Sequence, residues 1–430
     1  MENKKQLSNT SYKCQLVPTE EQVMMFYKTI SNCKVAYNYA LGQFRQGNFK
    51  FSTKEMSKTL PFLKETSSNA AARAINDVKQ AYSNHKKNPS HFRNPDFKKL
   101  KEYKKSFTFQ EPVFRKQINS NKGIVNIPRI GDVIFLKQRK RELPEEVSKA
   151  TVSYRGNKWW ISFSIYEEFK QEETGNKSVG IDRGVTKSFQ LSDGKYFNVP
   201  VDRIKKLEKR LKRYQRVMAR KIEAHKKNKR TTRSNNFYKA VNKVNKLSFH
   251  ITNVRDNFLH NTTKEIAKDY DIVVLEDLDV KKMTKNTSGT VENPGKDVSK
   301  KRRLNKSILE QGWCSFETML SYKLKRTKNG KVVKVNPAYT SQTCNICGNV
   351  SKENRKTQAN FKCTVCHHEE NADLNAAKNI HKRYLKQTTE VILGSHMPVE
   401  ELITPMKQEA VNEEKVPLTN NSQNYIKGVI

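Results

Sequence analysis

Four cysteines near residue 350 impose the strongest local constraint on how this 430-residue chain folds. They form two CxxC pairs separated by fifteen residues: Cys344, Cys347, Cys363 and Cys366. Each CxxC turn presents two thiolates, and two such turns complete the tetrahedral site of a zinc ribbon, which we place at 341–369. Because four thiolates close the coordination shell, we expect one structural Zn²⁺. Disulfides are the alternative that a reducing compartment disfavours, and ligation by His367 or His368 is strained by their adjacency to Cys366.

Net charge is the second constraint. The sequence has 83 Lys and Arg against 43 Asp and Glu, a formal charge of +40. An excess of this size opposes compaction by self-repulsion, so it indicates a polyanionic partner. A basic protein that is merely soluble is the alternative. A membrane surface fits less well because aromatic residues are interleaved with the basic ones, so we expect nucleic acid as the partner and no membrane.

The N-terminal sequence MENKKQLSNTSYK lacks the apolar core of a signal peptide. No stretch of the chain approaches the ~18 apolar residues of a membrane-spanning helix. We therefore expect a cytoplasmic protein.

Three acidic residues occupy the ends of predicted elements. Residues 177–182 are a short apolar strand that ends in Asp182, with a second strand closed by an Asp-Gly turn after it. Residues 272–275 are a continuous apolar run, typical of a buried strand, and Glu276 ends it. Asp373 lies at the start of a helix whose apolar residues share one face.

An acid on a first strand, one at the end of a later strand and one at a helix start is the order of RNase H-type nucleases. Hydrolysis of a phosphodiester by two metal ions requires several convergent carboxylates that hold the ions ~4 Å apart. Hard oxygen ligands favour Mg²⁺ or Mn²⁺, whereas the thiolates favour zinc. Asp182, Glu276 and Asp373 are therefore the candidate ligands of two catalytic ions. Each acid alone has an ordinary alternative as a helix cap or a solvated loop residue.

Four segments carry a family resemblance: VGIDRG, VVLEDLDVKKM, YTSQTCNICG and FKCTVCHHEENADLNAAKNI. They resemble the TnpB proteins of bacterial insertion sequences, which are relatives of compact type V CRISPR effectors. The resemblance covers roughly 175 to 385 with specific motifs, and the basic, aromatic segment 92–109 extends it more weakly. It implies that Asp182, Glu276 and Asp373 are a RuvC catalytic triad. It also implies an RNA-guided DNA endonuclease that carries a transposon-derived RNA and cleaves double-stranded DNA beside a short motif. Such an enzyme would be bacterial and would associate with the nucleoid.

Three rivals share much of this pattern. A relative that has lost cleavage would act as an RNA-guided repressor, although the presence of all three acids favours the nuclease. A compact type V CRISPR effector has the same ancestry. A self-sufficient transposase shares the RNase H class and would transfer strands without RNA.

The expected fold is α+β and multidomain, with an RNase H-like RuvC domain that contains the zinc ribbon. A small β-barrel, the wedge, precedes it and contains an inserted helical recognition lobe. The expected segments are 1–18 and 110–172 for the wedge, 19–109 for the lobe, 173–340 and 370–386 for RuvC, and 387–430 for a disordered tail.

Local patterns support this organisation. A capping box begins a helix over 19–44 with a clear apolar stripe, and a second helix covers much of 66–85. Residues 122–168 change to the period of strands. Of the adjacent Trp159 and Trp160, we expect one in the core and the other at the surface, and the alternative is a pair that stacks on bases.

The stretch 203–247 is the most basic in the chain. Ile204, Leu207 and Leu211 begin an apolar helical stripe, and basic residues cover the other faces with few acids among them. We expect this helix to contact a guide–target duplex, and the candidate contacts are Lys209, Arg213, Arg216 and Arg220. Residues 281–310 have little periodicity and are predicted to form a mobile loop beside Glu276.

Overall fold

The computed structural model describes residues 6–50, 52–99, 105–110, 113–119, 121–137, 147–169, 171, 175–228, 232–287, 289, 293 and 295–394. The strands within these residues are β1 (Gln6–Val17), β2 (Ser106–Gln110), β3 (Val113–Asn119), β4 (Lys122–Ile127), β5 (Gly131–Lys137), β6 (Lys149–Arg155), β7 (Lys158–Phe169), β8 (Ser178–Asp182), β9 (Phe189–Leu191), β10 (Tyr196–Phe197), β11 (Ile272–Glu276), β12 (Lys331–Val335), β13 (Asn360–Lys362) and β14 (Glu369–Asn371). The α-helices are α1 (Glu20–Arg45), α2 (Thr53–Thr59), α3 (Ser68–Lys87), α4 (Val201–Lys227), α5 (Asn235–Asp269), α6 (Val280–Met283), α7 (Val298–Gln311), α8 (Trp313–Leu324) and α9 (Ala372–Gly394).

The first seven strands form one curled antiparallel sheet in the order β2-β6-β7-β1-β5-β4-β3. Strand β1 pairs with β7 along most of its length and with β5 at its end. Its alternate residues Tyr12, Cys14 and Leu16 are buried, as the period of a strand with one covered face requires. The sheet and the helices that follow β1 share one hydrophobic core.

Helices α1 to α3 lie between β1 and β2 in the chain. Helix α1 begins at the predicted capping box, in which the Thr19 side chain accepts from the backbone of Gln22. The predicted apolar stripe of α1 is buried, from Phe26 through Ile30 to Phe44, which confirms its assignment to the core. Strand β2 pairs with β6 from Ser106, so regular sheet structure begins three residues before the predicted end of the lobe at 109.

Trp159 and Trp160 are both buried, so the prediction that one of them is at the surface was wrong. Successive residues of a strand face opposite sides of the sheet. Trp159 packs on Phe26 of α1, with ring centroids 4.8 Å apart. Trp160 faces the other side, where Phe249 of α5 covers it at 5.8 Å.

The second sheet has the order β10-β9-β8-β11-β12. Strands β8, β11 and β12 are parallel, and β9 pairs antiparallel with both of its neighbours, β8 and β10. Val179 and Ile181 of β8 and Leu275 of β11 face α5 and α8 in a shared core. The alternate residues of β8 face the opposite side, where α9 packs. The predicted strands that end in Asp182 and Glu276 are therefore confirmed, as is the helix that begins before Asp373.

Helices α4 and α5 pack against each other. Ile204, Leu207 and Leu211 of α4 pack against Ile251 and Val254 of α5. The predicted apolar stripe thus faces a neighbouring helix, and the basic residues of α4 lie on its other sides.

The predicted mobile loop 281–310 is helical at both ends. Residues 280–283 form α6 and residues 298–311 form α7. Arg255 of α5 lies 3.4 Å from Glu208 of α4 and 3.3 Å from Glu310 of α7, and these ion pairs hold α7 against the two helices. Strand β14 pairs with β13 up to Asn371, two residues past the predicted end of the ribbon at 369.

The last correction concerns the tail. Helix α9 continues to Gly394, so the predicted start of disorder at 387 was wrong for 387–394. The rest of the predicted tail, 395–430, lies outside the described residues. Within the part of the chain that the structure describes, no helix is both long and apolar enough to cross a membrane.

Candidate functional site

Asp182 and Glu276 lie at the carboxyl ends of two neighbouring parallel strands, β8 and β11. Ile181 pairs with Leu275 in the register of these strands, and the next residue of each strand is the acid. Neighbouring strands are about 4.8 Å apart and residues in register point to the same face, so the two carboxylates share one face of the sheet. The side chain of Glu276 is buried, and that of Asp182 is partly exposed.

Helix α9 brings Asp373 to the same edge because it packs directly against β8. A Cβ atom at Gly180 would lie 2.6 Å from the backbone nitrogen of His381, so only glycine permits this approach. The Ser178 hydroxyl oxygen lies 2.8 Å from Nε2 of His381. The four residues from Ser178 to Asp182 advance about 13 Å, and the eight residues from His381 back to Asp373 span about 12 Å. Asp373 therefore arrives beside Asp182.

The pKa values of these acids reflect the proximity of the three carboxylates. Burial and the negative charges of Glu276 and then Asp373 raise the pKa of Asp182 to about 7. Burial also raises the pKa of Asp373, although the positive charges of Arg355 and Lys187 act in the opposite direction. The group is thus a partly buried concentration of negative charge, which a cation would stabilise.

The three carboxylates offer only oxygen donors. Hard oxygen ligands of this kind are those that Mg²⁺ and Mn²⁺ prefer. Their chemistry therefore fits a divalent cation held between the ends of β8 and β11 and the start of α9.

Two basic residues that the sequence analysis did not single out lie beside Asp373. Nη2 of Arg355 is 3.7 Å from Oδ1 of Asp373. Nζ of Lys187 donates to Oδ1 of Asn371 at 3.1 Å, two residues before Asp373. No spacing signal distinguishes these residues among 83 Lys and Arg, because only the fold brings them to the acids.

Arg183 is a third basic residue at the site, and it is buried. Its guanidinium donates to the backbone carbonyl of Glu276 and lies 3.6 Å from Oε2 of Glu317 on α8. Burial lowers the pKa of Arg183, and the charges of Glu317 and Glu276 oppose that effect. The side chain thus links the ends of β8 and β11 from within the protein. Its position directly after Asp182 was the one available signal.

The four cysteines meet in one cluster. Their Sγ atoms lie within 4.8 Å of one another, with Cys344 3.6 Å from Cys366 and Cys347 3.5 Å from Cys363. A tetrahedral Zn²⁺ with Zn–S bonds of ~2.3 Å places its sulfurs about 3.8 Å apart. The backbone N–H groups of Val365 and Cys366 donate to Sγ of Cys363 at 3.4 and 3.5 Å. Four convergent sulfurs and donors aimed at one of them fit a thiolate-bound metal.

The four candidate nucleic-acid contacts on α4 are all exposed: Lys209, Arg213, Arg216 and Arg220. They are distant from the three acids in sequence. They lie outside the apolar stripe that packs on α5, so they are on the outer faces of α4. Their exposure makes them accessible to a phosphate backbone.

Known family models match three parts of the chain. A helix-turn-helix domain of the IS605 OrfB type matches residues 8–46, a family described as "Probable transposase" matches 161–287, and the TNB domain of Cas12f1-like proteins matches 313–380. Over 384 residues the chain is 34 % identical to the "Putative RNA-guided DNA endonuclease InsQ" of Escherichia coli (strain K12), covering 86 % of this chain and 91 % of that one. The chain belongs to the TnpB family.

Two further comparisons extend this relationship beyond TnpB proteins. The Cas12f1 endodeoxyribonuclease of Sulfoacidibacillus thermotolerans is 30 % identical over 268 residues, which is 60 % of this chain and 58 % of that one. The fold resembles a chain in a cryo-EM structure of a Cas12f1–sgRNA–target DNA complex, with a TM-score of 0.52, 15 % identity and coverage of 85 % and 83 %. A mixed α+β fold is therefore common to this TnpB protein and a Cas12f structure.

The match named helix-turn-helix has a different structure here. Its residues 8–46 form most of strand β1 and the single long helix α1. Strand β1 lies inside the seven-stranded sheet, so this region is part of a sheet-and-helix core.

Proposed function

We propose that this protein is an RNA-guided DNA endonuclease of an insertion sequence. It carries a transposon-derived guide RNA and cleaves double-stranded DNA at targets beside a short adjacent motif. The observation that carries the proposal is the convergence of Asp182, Glu276 and Asp373 at one sheet edge in a TnpB-family chain. The names of its relatives, an RNA-guided DNA endonuclease and Cas12f1, support the substrate and the guide.

In this proposal the three acids are the catalytic residues and hold two Mg²⁺ or Mn²⁺ ions. The donor set supports this assignment, because it consists of carboxylate oxygens in a region of excess negative charge. Asp182, Glu276 and Asp373 would hold these ions, which when bound would supply the activation of a water and the stabilisation of the leaving oxygen in an in-line hydrolysis.

The basic neighbours of the acids have complementary roles. Arg355 and Lys187 provide positive charge beside Asp373 that attracts a DNA phosphate towards the carboxylates. Arg183 fixes the ends of β8 and β11 relative to each other through the carbonyl of Glu276. The chain thus combines negative ligands for metal with positive groups for the substrate backbone.

The domain proposal follows from the sheets. The five-stranded sheet with α9, within 173–340 and 370–386 and extended to the end of α9, is the RuvC-like RNase H nuclease domain. The seven-stranded sheet is the wedge barrel, and α1 to α3 are the recognition lobe inserted in it. The cysteine cluster is the site of one structural Zn²⁺.

The surface of α4 is the proposed contact for the guide–target duplex, through Lys209, Arg213, Arg216 and Arg220. Four exposed cations on one helix neutralise phosphates without reading bases, which suits a duplex whose sequence is read by pairing.

The test is reconstitution. The protein is purified with the RNA that accompanies it, that RNA is sequenced, and the complex is incubated with Mg²⁺ and a plasmid library that carries a matching target beside random flanks. Cleavage of a subset of flanks, abolished in Asp182→Ala, is expected. Binding without cleavage by the native complex would instead support the RNA-guided repressor, and an RNA derived from a repeat array would support a CRISPR effector.

A further inference from the structure

Thr340 makes a contact with the acid cluster that the proposed triad does not explain. Its hydroxyl donates to Oε1 of Glu276 at 2.5 Å. Both residues are buried, at 3 % and 8 % exposure. A hydrogen bond to a carboxylate in such surroundings is stronger than one between neutral groups, so it restricts how the Glu276 carboxylate turns.

Thr340 is itself held by α9. Nδ2 of Asn379 donates to the carbonyl oxygens of Thr340 and Thr343 at 2.9 and 2.6 Å. One turn earlier on the same face, Nδ2 of Asn375 donates to the Thr343 carbonyl at 2.8 Å. Both asparagines are buried, so their amide groups depend on these partners.

The hydrogen bonds from α9 also reach the cysteine cluster. Oδ1 of Asn375 accepts from the backbone N–H of Asn345 at 2.9 Å, and Asn345 lies between Cys344 and Cys347. Helix α9 therefore binds the backbone from Thr340 to the first CxxC turn. The helix that bears Asp373 also holds the residue that contacts Glu276.

We propose that Thr340 is a positioning residue for Glu276, and that Asn375 and Asn379 support it by fixing the start of the cysteine ribbon on α9. One rigid unit then fixes the separation of two of the three acids. Helix α9 carries Asp373 itself, and it positions Glu276 through Thr340. The ribbon contributes to metal binding at the acids although its own cluster lies apart from them. This inference rests on the proposed function, because it assigns Thr340 a role through a carboxylate that binds metal.

The experiment compares two substitutions of the same kind. Thr340→Val removes the hydroxyl and keeps the shape of the side chain. Thr343→Val is the matched control in the same segment, because its hydroxyl donates to the Tyr339 carbonyl, at 2.7 Å, and not to an acid of the cluster. Each variant is purified as the complex with its RNA, and Mn²⁺ binding is titrated by electron paramagnetic resonance alongside the Mg²⁺ dependence of cleavage.

Thr340→Val is expected to raise the metal concentration for half-saturation about 10–100-fold, the usual effect of removing a partner of a metal ligand. Thr340→Ser is expected to remain near the native value, and Thr343→Val is expected to match the native protein. Zinc content is expected to stay the same in all of them. If Thr340→Val and Thr343→Val give the same metal dependence, Thr340 has no positioning role.

Failure to fold does not remove the test. If Thr340→Val fails to bind RNA, the pair Thr340→Ser and Thr340→Ala isolates the hydroxyl in a smaller side chain, and equal Mn²⁺ affinity of that pair overturns the inference. The Asp182→Ala variant distinguishes a failure of this inference from a failure of the proposed function. If Asp182→Ala also leaves Mn²⁺ binding unchanged, the acids are not the metal site.

Discussion

The cysteine cluster and the acid cluster are built in opposite ways, although Asp373 follows the last cysteine by only seven residues. The four cysteines lie within 23 residues, and two tight turns bring them together. The acids come from three distant segments, and they meet because β8 and β11 are parallel neighbours and Gly180 admits α9. The first site depends on local spacing, and the second depends on the packing of the five-stranded sheet against α9.

The two sites also differ in whether their surroundings stabilise negative charge. Backbone N–H groups donate to Cys363 within its own turn. At the acids, burial and mutual repulsion dominate, and they raise the pKa of Asp182 to about 7. Loss of an acid should therefore affect chemistry more than folding, whereas loss of a cysteine should affect local folding first.

The largest expected effect is on cleavage. Asp182→Ala, Glu276→Ala and Asp373→Ala should each reduce guided cleavage to background and leave RNA and DNA binding nearly intact, because each removes a metal ligand only. Plasmid cleavage and filter binding measure the two properties. Asp277→Ala is the control, since this neighbouring acid is exposed and contacts Lys334 instead. Cleavage near the native rate by any of the three variants would remove that residue from the triad.

The second effect is on the ribbon. Cys344→Ser or Cys363→Ser should release about one Zn²⁺ per chain and unfold the ribbon locally, because the metal supplies much of its folding energy. Atomic emission measures zinc, and hydrogen exchange locates the unfolding. Cys314→Ser should change neither, since Cys314 is exposed and outside the cluster. Native protein without zinc would contradict this account of the cluster.

A smaller effect is expected from α4. Reversal of Lys209, Arg213, Arg216 and Arg220 to Glu should weaken nucleic-acid binding for every target sequence. The slope of log affinity against log salt should become shallower by ~0.9 for each duplex phosphate that is no longer neutralised, a value for B-DNA. Replacement by Gln should act in the same direction more weakly. An unchanged slope would make this surface a solvated helix face.

The smallest effect is expected from the C-terminal segment. Removal of 395–430 should leave RNA binding and cleavage close to native, because this sequence is rich in acids and lacks hydrophobic periodicity. Removal of 387–430 also shortens α9 and is expected to lower the melting temperature more. Loss of cleavage when only 395–430 is removed would show that this segment has a structural or catalytic role.

The sequence predicted those parts of both sites that depend on local pattern. Each of these features is recognised from a pattern of a few neighbouring residues: the two CxxC pairs, the apolar runs that end in Asp182 and Glu276, and the helix start before Asp373. Thr340, Arg355 and Asn379 could not be found this way, because their partners are distant in the chain. The burial of both tryptophans was missed for the same reason, since α5 covers Trp160 from a distant part of the sequence.

The central claim is that the acids form one metal site distinct from the cysteine site. Its most direct test is to count bound Mn²⁺ and Zn²⁺ in the native RNA complex and in Asp182→Ala. Because the RNA binds Mn²⁺ as well, the two complexes carry the same RNA. We expect two more bound Mn²⁺ in the native complex than in the variant, and one Zn²⁺ in both. Equal Mn²⁺ content in the two proteins, or joint loss of both metals, would contradict the account.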